Sequence, residues 1–188
     1  MAEPDWQLAF DVGSAGELQG LAERLAEHLA PGDLLVLSGE LGAGKTTFTQ
    51  GLGRGLAVED RIISPTFVLV REHGSTTAGP GLIHVDAYRL ESAAAIDDLD
   101  LEATLARNVT VIEWGAGRVE HLSDSRLHID IIRPRGGGEP GGDPGAPGGP
   151  PAAPATRFDD DAEDEVRSIT LAGFGPRWRA GPPALTLD

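Results

Sequence analysis

Gly39-Glu40-Leu41-Gly42-Ala43-Gly44-Lys45-Thr46 completes the pattern G-x-x-x-x-G-K-[ST], a spacing suited to holding a chain of phosphates. The glycines let successive backbone N–H groups turn toward phosphate oxygens, and a helix N-terminus behind them adds partial positive charge. In such a loop Lys45 supplies a mobile point charge for the β and γ phosphates, and the Thr46 hydroxyl suits Mg²⁺. The 15 basic residues are 14 arginines and this one lysine. An ordinary strand–turn–helix junction is the bland alternative, and the context argues against it. The apolar run Leu34-Leu35-Val36-Leu37 leads into the loop, and Thr46 to Leu56 follows with Phe48, Leu52 and Leu56 on one helical side.

Hydrolysis asks for more than a cradle, because a water must be positioned and the cation managed. In open α/β sheets such groups lie beyond the carboxyl ends of the strands. Asp86 ends the run Leu82-Ile83-His84-Val85, and Glu113 ends Val109-Thr110-Val111-Ile112. Both fit that rule, and a solvated strand-end acid is the lesser alternative for each. Ser64-Pro65-Thr66 is either a rigid turn or a switch-like element that brings Thr66 toward the γ-phosphate. Trp114 is either packing or a ring over the nucleotide. His84, inside an apolar strand, reads as a core histidine rather than a ligand, and no H-x-x-x-H spacing accompanies it.

The elements that would position these groups alternate strand and helix. Trp6 to Val12 reads as a strand, and Ser14 with Glu17 has capping-box spacing before the stripe Leu18, Leu21, Leu25 and Leu29. That helix is expected to end near Pro31-Gly32. Phe67–Val70, Leu82–Val85 and Val109–Ile112 read as further strands, with a helix over Glu91–Arg107. Leu127, Ile129 and Ile131 alternate with polar residues, as in a half-exposed antiparallel strand. The expected fold class is α/β, P-loop NTPase-like: a mainly parallel sheet flanked by helices, with antiparallel strands at one edge.

Residues 136–156 hold eight glycines and six prolines, followed by an acidic run from Asp159 to Glu165. No regular element tolerates that composition, so 135–165 is expected to be a disordered insertion between two edge strands. The domain then comprises 1–134 plus 166–188, the strand resuming at Val166–Leu171 and the last dozen residues fraying. The acids number 30 and the net charge is −15, a balance that disfavours a direct electrostatic grip on nucleic acid or anionic lipid. Cysteine is absent, which removes disulfide partners and thiolate chemistry. With no membrane-length apolar run and no leader pattern at Met1–Trp6, a cytoplasmic location is expected.

The loop Gly39 to Thr47 resembles that of one small bacterial ATPase family, the TsaE (YjeE-like) component of tRNA threonylcarbamoyladenosine synthesis. Three further blocks agree in order: Ser64-Pro65-Thr66-Phe67, His84-Val85-Asp86-Ala87-Tyr88-Arg89-Leu90 and Ile112-Glu113-Trp114. The similarity spans about 6–134 and resumes at about 166–175, and the 135–165 insertion departs from it. The resemblance implies a slow ATPase with Mg²⁺, working with TsaD-like and TsaB-like partners. Those partners install the threonylcarbamoyl group on adenosine 37 of tRNAs reading ANN codons. Carried over, Gly39, Glu40, Leu41, Gly42, Ala43, Gly44, Lys45, Thr46 and Thr47 bind the phosphates and Trp114 lies near the nucleotide. Thr46 and Glu113 manage Mg²⁺, Lys45 and Asp86 are catalytic, and Thr66 belongs to a switch-like loop. The acidic surface suits protein partners, so contact with tRNA is expected to be indirect. The alternative is a small nucleotide kinase or other P-loop phosphotransferase. A guanine-reading N-K-x-D motif is ruled out, since the one lysine is already used.

Overall fold

Seven strands form one mixed sheet in the computed structural model, which describes residues 3–59, 61–90, 92–133 and 165–185, with Glu102 by its backbone alone. The strands are β1 (Trp6–Val12), β2 (Leu34–Ser38), β3 (Val70–His73), β4 (Gly81–Asp86), β5 (Asn108–Glu113), β6 (Arg126–Ile132) and β7 (Arg167–Phe174). The helices are α1 (Ala15–Ala26), α2 (Lys45–Gly55), α3 (Ala93–Asp97) and α4 (Glu102–Leu105). The sheet order is β1-β7-β6-β2-β5-β4-β3. Its centre, β6-β2-β5-β4, is parallel, and antiparallel pairs lie at both margins, β1·β7 and β7·β6 on one side and β3·β4 on the other.

The continuous apolar run of β2 is buried on both faces, as a central parallel strand requires. Leu35 and Leu37 enter the core beneath α1 and α2, whereas Leu34 and Val36 enter the core beneath α3 and α4. Ser14 caps α1 by accepting from the Glu17 N–H, and the Glu17 carboxylate accepts from Gly13 N in return. Leu18, Leu21 and Leu25 of the stripe are buried and Leu29 is half-buried, but the helix stops at Ala26 rather than near Pro31. His28 and Leu29 donate to carbonyls only three residues back, and the Asp33 carboxylate accepts from Ala30 N, so a tight turn replaces the last helical turn.

Helices α1 and α2 approach closely because Gly51 and Gly55 face Ala22 and Ala26. A Cβ at Gly51 would lie 2.2 Å from the Gln19 carbonyl oxygen, and one at Gly55 2.5 Å from the Ala26 Cβ.

Elsewhere the sequence expectation shifts. The strand expected over 67–70 begins only at Val70. Pro65 O accepts from both Val68 N and Leu69 N, and the turn leaves Phe67 exposed. The helix expected over 91–107 is divided into α3 and α4, with Asp100 in the left-handed region (φ 51°) between them. Strand β6 is parallel to β2 as well as antiparallel to β7, and β7 lies between β1 and β6 rather than at an edge. Beyond β7 the chain is anchored: Trp178 is buried, its carbonyl accepts from the Trp6 indole N–H at 2.7 Å, and Leu185 packs against the core. The expected insertion, apart from Glu165, falls outside the described residues. Among the described residues no helix is long and apolar enough to cross a membrane.

Candidate functional site

Strands β2, β4 and β5 end side by side, with Asp86 opposite Glu113 and Glu113 opposite Leu37 in register. Along β4 and β5 the two-residue period turns His84, Asp86 and Glu113 to the face that α2 covers. The loop from Gly39 to Gly44 crosses over these strand ends and enters α2 directly at Lys45. Glycine is needed at two points of that crossing. Gly39 (φ 147°) packs on the end of β6, where a Cβ would come 2.4 Å from the Ile131 carbonyl oxygen. Gly44 (φ 112°), the N-cap of α2, sits against Leu18, whose Cδ2 a Cβ would meet at 2.8 Å.

The Lys45 ammonium donates to the carbonyls of Gly39 and Glu40, each at 2.9 Å, and stands 3.7 Å from the Trp114 ring centroid. Burial pulls its pKa below the ordinary lysine value, and the carboxylates of Glu113 and Asp86 oppose that shift. The Thr46 hydroxyl donates to Glu113 Oε1 at 3.0 Å, and His84 Nε2 lies 2.8 Å from the same oxygen. Asp86 is held by three donors. Thr66 Oγ1 at 2.6 Å and Ser64 Oγ at 3.2 Å reach Oδ2, and Tyr88 N at 3.0 Å reaches Oδ1.

A cleft of about 360 Å³ opens between these groups, lined by Leu41, Gly42, Gly44, Lys45, Thr46, Thr47, Ser64, Thr66, Asp86, Glu113 and Trp114. Of the other residues expected to bind, Gly39 and Ala43 shape the loop from behind, Ala43 being buried, while Glu40 is exposed at its crest. The wall combines backbone amides, one ammonium, hydroxyls and two carboxylates. That donor set suits a polyphosphate accompanied by a hard, oxygen-seeking cation. No cluster of three His, Cys, Asp or Glu capable of holding an ion alone exists among the described residues, so phosphate oxygens and water would have to complete the shell.

Two contributors escaped the sequence reading. Arg118 donates to the carbonyls of Ala87, Leu90 and Trp114, tying the loop after β4 to the loop after β5. Trp114 occupies the left-handed region (φ 63°), a conformation that costs a non-glycine residue about 1–2 kcal/mol. Its N–H donates to Leu37 O at 2.9 Å and its ring packs on Tyr88 at 5.2 Å between centroids, so the strain is held from three sides. No local motif announces Arg118. The second is His84, read as a core residue; it is fully buried, and its imidazole reaches Glu113.

The central parallel strands, the glycine loop entering α2, and the strand-end acids beside it define a P-loop α/β protein. The match to the family model described as "Threonylcarbamoyl adenosine biosynthesis protein TsaE" covers residues 12–137, and the chain belongs to this family. It is 45% identical over 162 residues to the tRNA threonylcarbamoyladenosine biosynthesis protein TsaE of Streptomyces coelicolor, covering 86% of this chain and 93% of that one. The protein of the same name from Bacillus subtilis is 37% identical over 128 residues, 68% of this chain and 78% of the relative. The fold is also similar to the crystal structure of Bacillus subtilis YdiB. The TM-score is 0.63 and the identity 29%, over 93% of this chain and 90% of that one.

Proposed function

We propose that this chain binds ATP with Mg²⁺, hydrolyses it slowly, and thereby serves formation of the threonylcarbamoyl group on adenosine 37 of tRNAs reading ANN codons. The observation that carries the reading is the 3.0 Å bond from Thr46, at the foot of the glycine loop, to Glu113, at the end of β5. It joins the phosphate cradle to the carboxylate that a Mg²⁺-dependent hydrolase needs. Relatives named for this tRNA modification support the biological assignment.

The loop amides, Thr47 and the α2 N-terminus would take the phosphate oxygens. Lys45 exchanges its two carbonyl acceptors for β and γ phosphate oxygens. Thr46 and Glu113 would hold the cation, which would supply neutralisation of the negative charge that develops on the phosphates. Asp86, steadied by Thr66 and Ser64, orients the attacking water and receives its proton. Trp114 closes the cleft beside Lys45 and the nucleotide. TsaD-like and TsaB-like proteins are the proposed partners in the cytoplasm. Contact with tRNA runs through them, because a chain of net charge −15 repels a polyanion.

The test is phosphate release from ATP, with and without those partners, in wild type, Glu113→Gln and Asp86→Asn. Partner-stimulated release that falls roughly 100-fold in both variants is expected, as for loss of a general base or of a cation ligand. A rate that depends instead on an added nucleoside or nucleotide acceptor would make the chain a phosphotransferase and overturn the reading.

A further inference from the structure

We propose that His84 is a positioning residue that locks the Glu113 carboxylate in the orientation its cation role requires, an inference that rests on the Mg²⁺-dependent reading above. His84 sits between Ile83 and Val85 on β4, opposite Val111 of β5 in register, and none of it is exposed. The period of the strand puts it on the same core-facing side as Leu82, where an aliphatic side chain would pack without leaving a polar atom unsatisfied. Its Nδ1 is buried and has no hydrogen-bond partner among the described residues. The core therefore gains nothing from the imidazole. Among the described residues its one polar contact is Nε2 to Glu113 Oε1 at 2.8 Å.

That contact has a defined sense. A carboxylate that binds a cation only accepts, so in that role Glu113 takes its hydrogen bond from His84 Nε2. Oε1 already accepts from Thr46 at 3.0 Å. The terminal torsion of a glutamate is broad and roughly two-fold, so the torsion itself does not select which oxygen faces the cleft. Two donors converging on one oxygen, one from α2 and one from β4, make that selection. They leave Oε2, which has no protein donor among the described residues, as the oxygen for the cation or its water. Partners that orient a metal-binding group in this way govern metal affinity by about 10–100-fold.

The experiment measures the affinity of a fluorescent ATP analogue in Mg²⁺ and in EDTA, and competition by Mn²⁺ followed by spin resonance. Both are read on wild type, His84→Leu, His84→Gln and His84→Asn. The glutamine amide nitrogen occupies nearly the place of Nε2 and reaches Glu113; the asparagine amide is too short. The Mg²⁺-dependent gain in affinity is expected to fall at least about ten-fold in His84→Leu and His84→Asn. It recovers in His84→Gln, with EDTA affinities within about two-fold of wild type throughout. Should His84→Leu fail to fold, the contrast between glutamine and asparagine decides alone. Equal cation dependence in all four proteins, or a loss that is the same with and without Mg²⁺, overturns the proposal for His84. A wild type whose affinity ignores Mg²⁺ overturns the underlying reading, and this proposal with it.

Discussion

Gly51→Ala is expected to destabilise the protein although alanine is the better helix former. A Cβ at Gly51 would stand 2.2 Å from the Gln19 carbonyl oxygen and 2.8 Å from the Ala22 Cβ. Ordinary contact begins near 3.4 Å, so α1 and α2 must part by roughly 1 Å, and backbone cannot step aside as a long side chain does. A gap of that size forfeits about a quarter to a half of each dispersion contact across the interface of Leu18, Leu21, Leu25, Phe48 and Leu52. Overpacking of this kind costs up to about 3 kcal/mol, and the gain in helix propensity returns about 1. The net loss is about 2 kcal/mol, or roughly 4–8 °C in melting temperature for a chain of this size. Gly20→Ala on α1 is the control. There a Cβ meets only the Arg24 guanidinium at 3.7 Å, and the same substitution should stabilise by about 0.5–1 kcal/mol. Paired thermal melts check both signs. Because α2 opens at Lys45, Gly51→Ala should also weaken nucleotide binding, and Gly20→Ala should not. Equal, positive shifts for both variants would refute the close-approach argument.

Lys45→Arg keeps the charge but replaces a compact ammonium, lodged between two carbonyls and the Trp114 ring, with a planar fork. ATP turnover should fall by about 100-fold or more in a phosphate-release assay, with the melting temperature little changed. Arg118→Met deprives three backbone carbonyls of a charged donor and releases Trp114 from its left-handed turn. A loss of about 2–3 kcal/mol in denaturant unfolding, together with a changed tryptophan emission, is expected. His128 lies on the open face of β6 beside a cavity of about 550 Å³. Burial, then the Arg126 guanidinium, hold its pKa below the ordinary value against Glu120 and Asp130. The unfolded chain therefore takes up that proton first, so stability falls as pH drops through about 6.5 toward the lowered value. The melting temperature of wild type should decline more between pH 7 and pH 5.5 than that of His128→Gln; parallel curves would remove His128 as the cause.

What the residues alone determined was local and contiguous. The glycine loop is legible because its pattern occupies eight consecutive positions, and a buried strand before it and a helix after it leave their own periodicities. Asp86 and Glu113 are legible because each directly follows an apolar run, so their place at the strand ends comes with the run itself. The two-faced burial of Leu34 to Leu37 follows from the same logic. Tertiary structure decided whatever depends on registry between distant segments. That His84 meets Glu113 requires β4 and β5 to be parallel neighbours in one register, across 29 residues of sequence. That Arg118 joins two loops and that β7 inserts between β1 and β6 depend likewise on pairings no short window contains. The physical reason is the range of the forces. Backbone periodicity and capping act within a few residues, whereas a hydrogen bond between side chains on separate strands exists only once the sheet has closed around it.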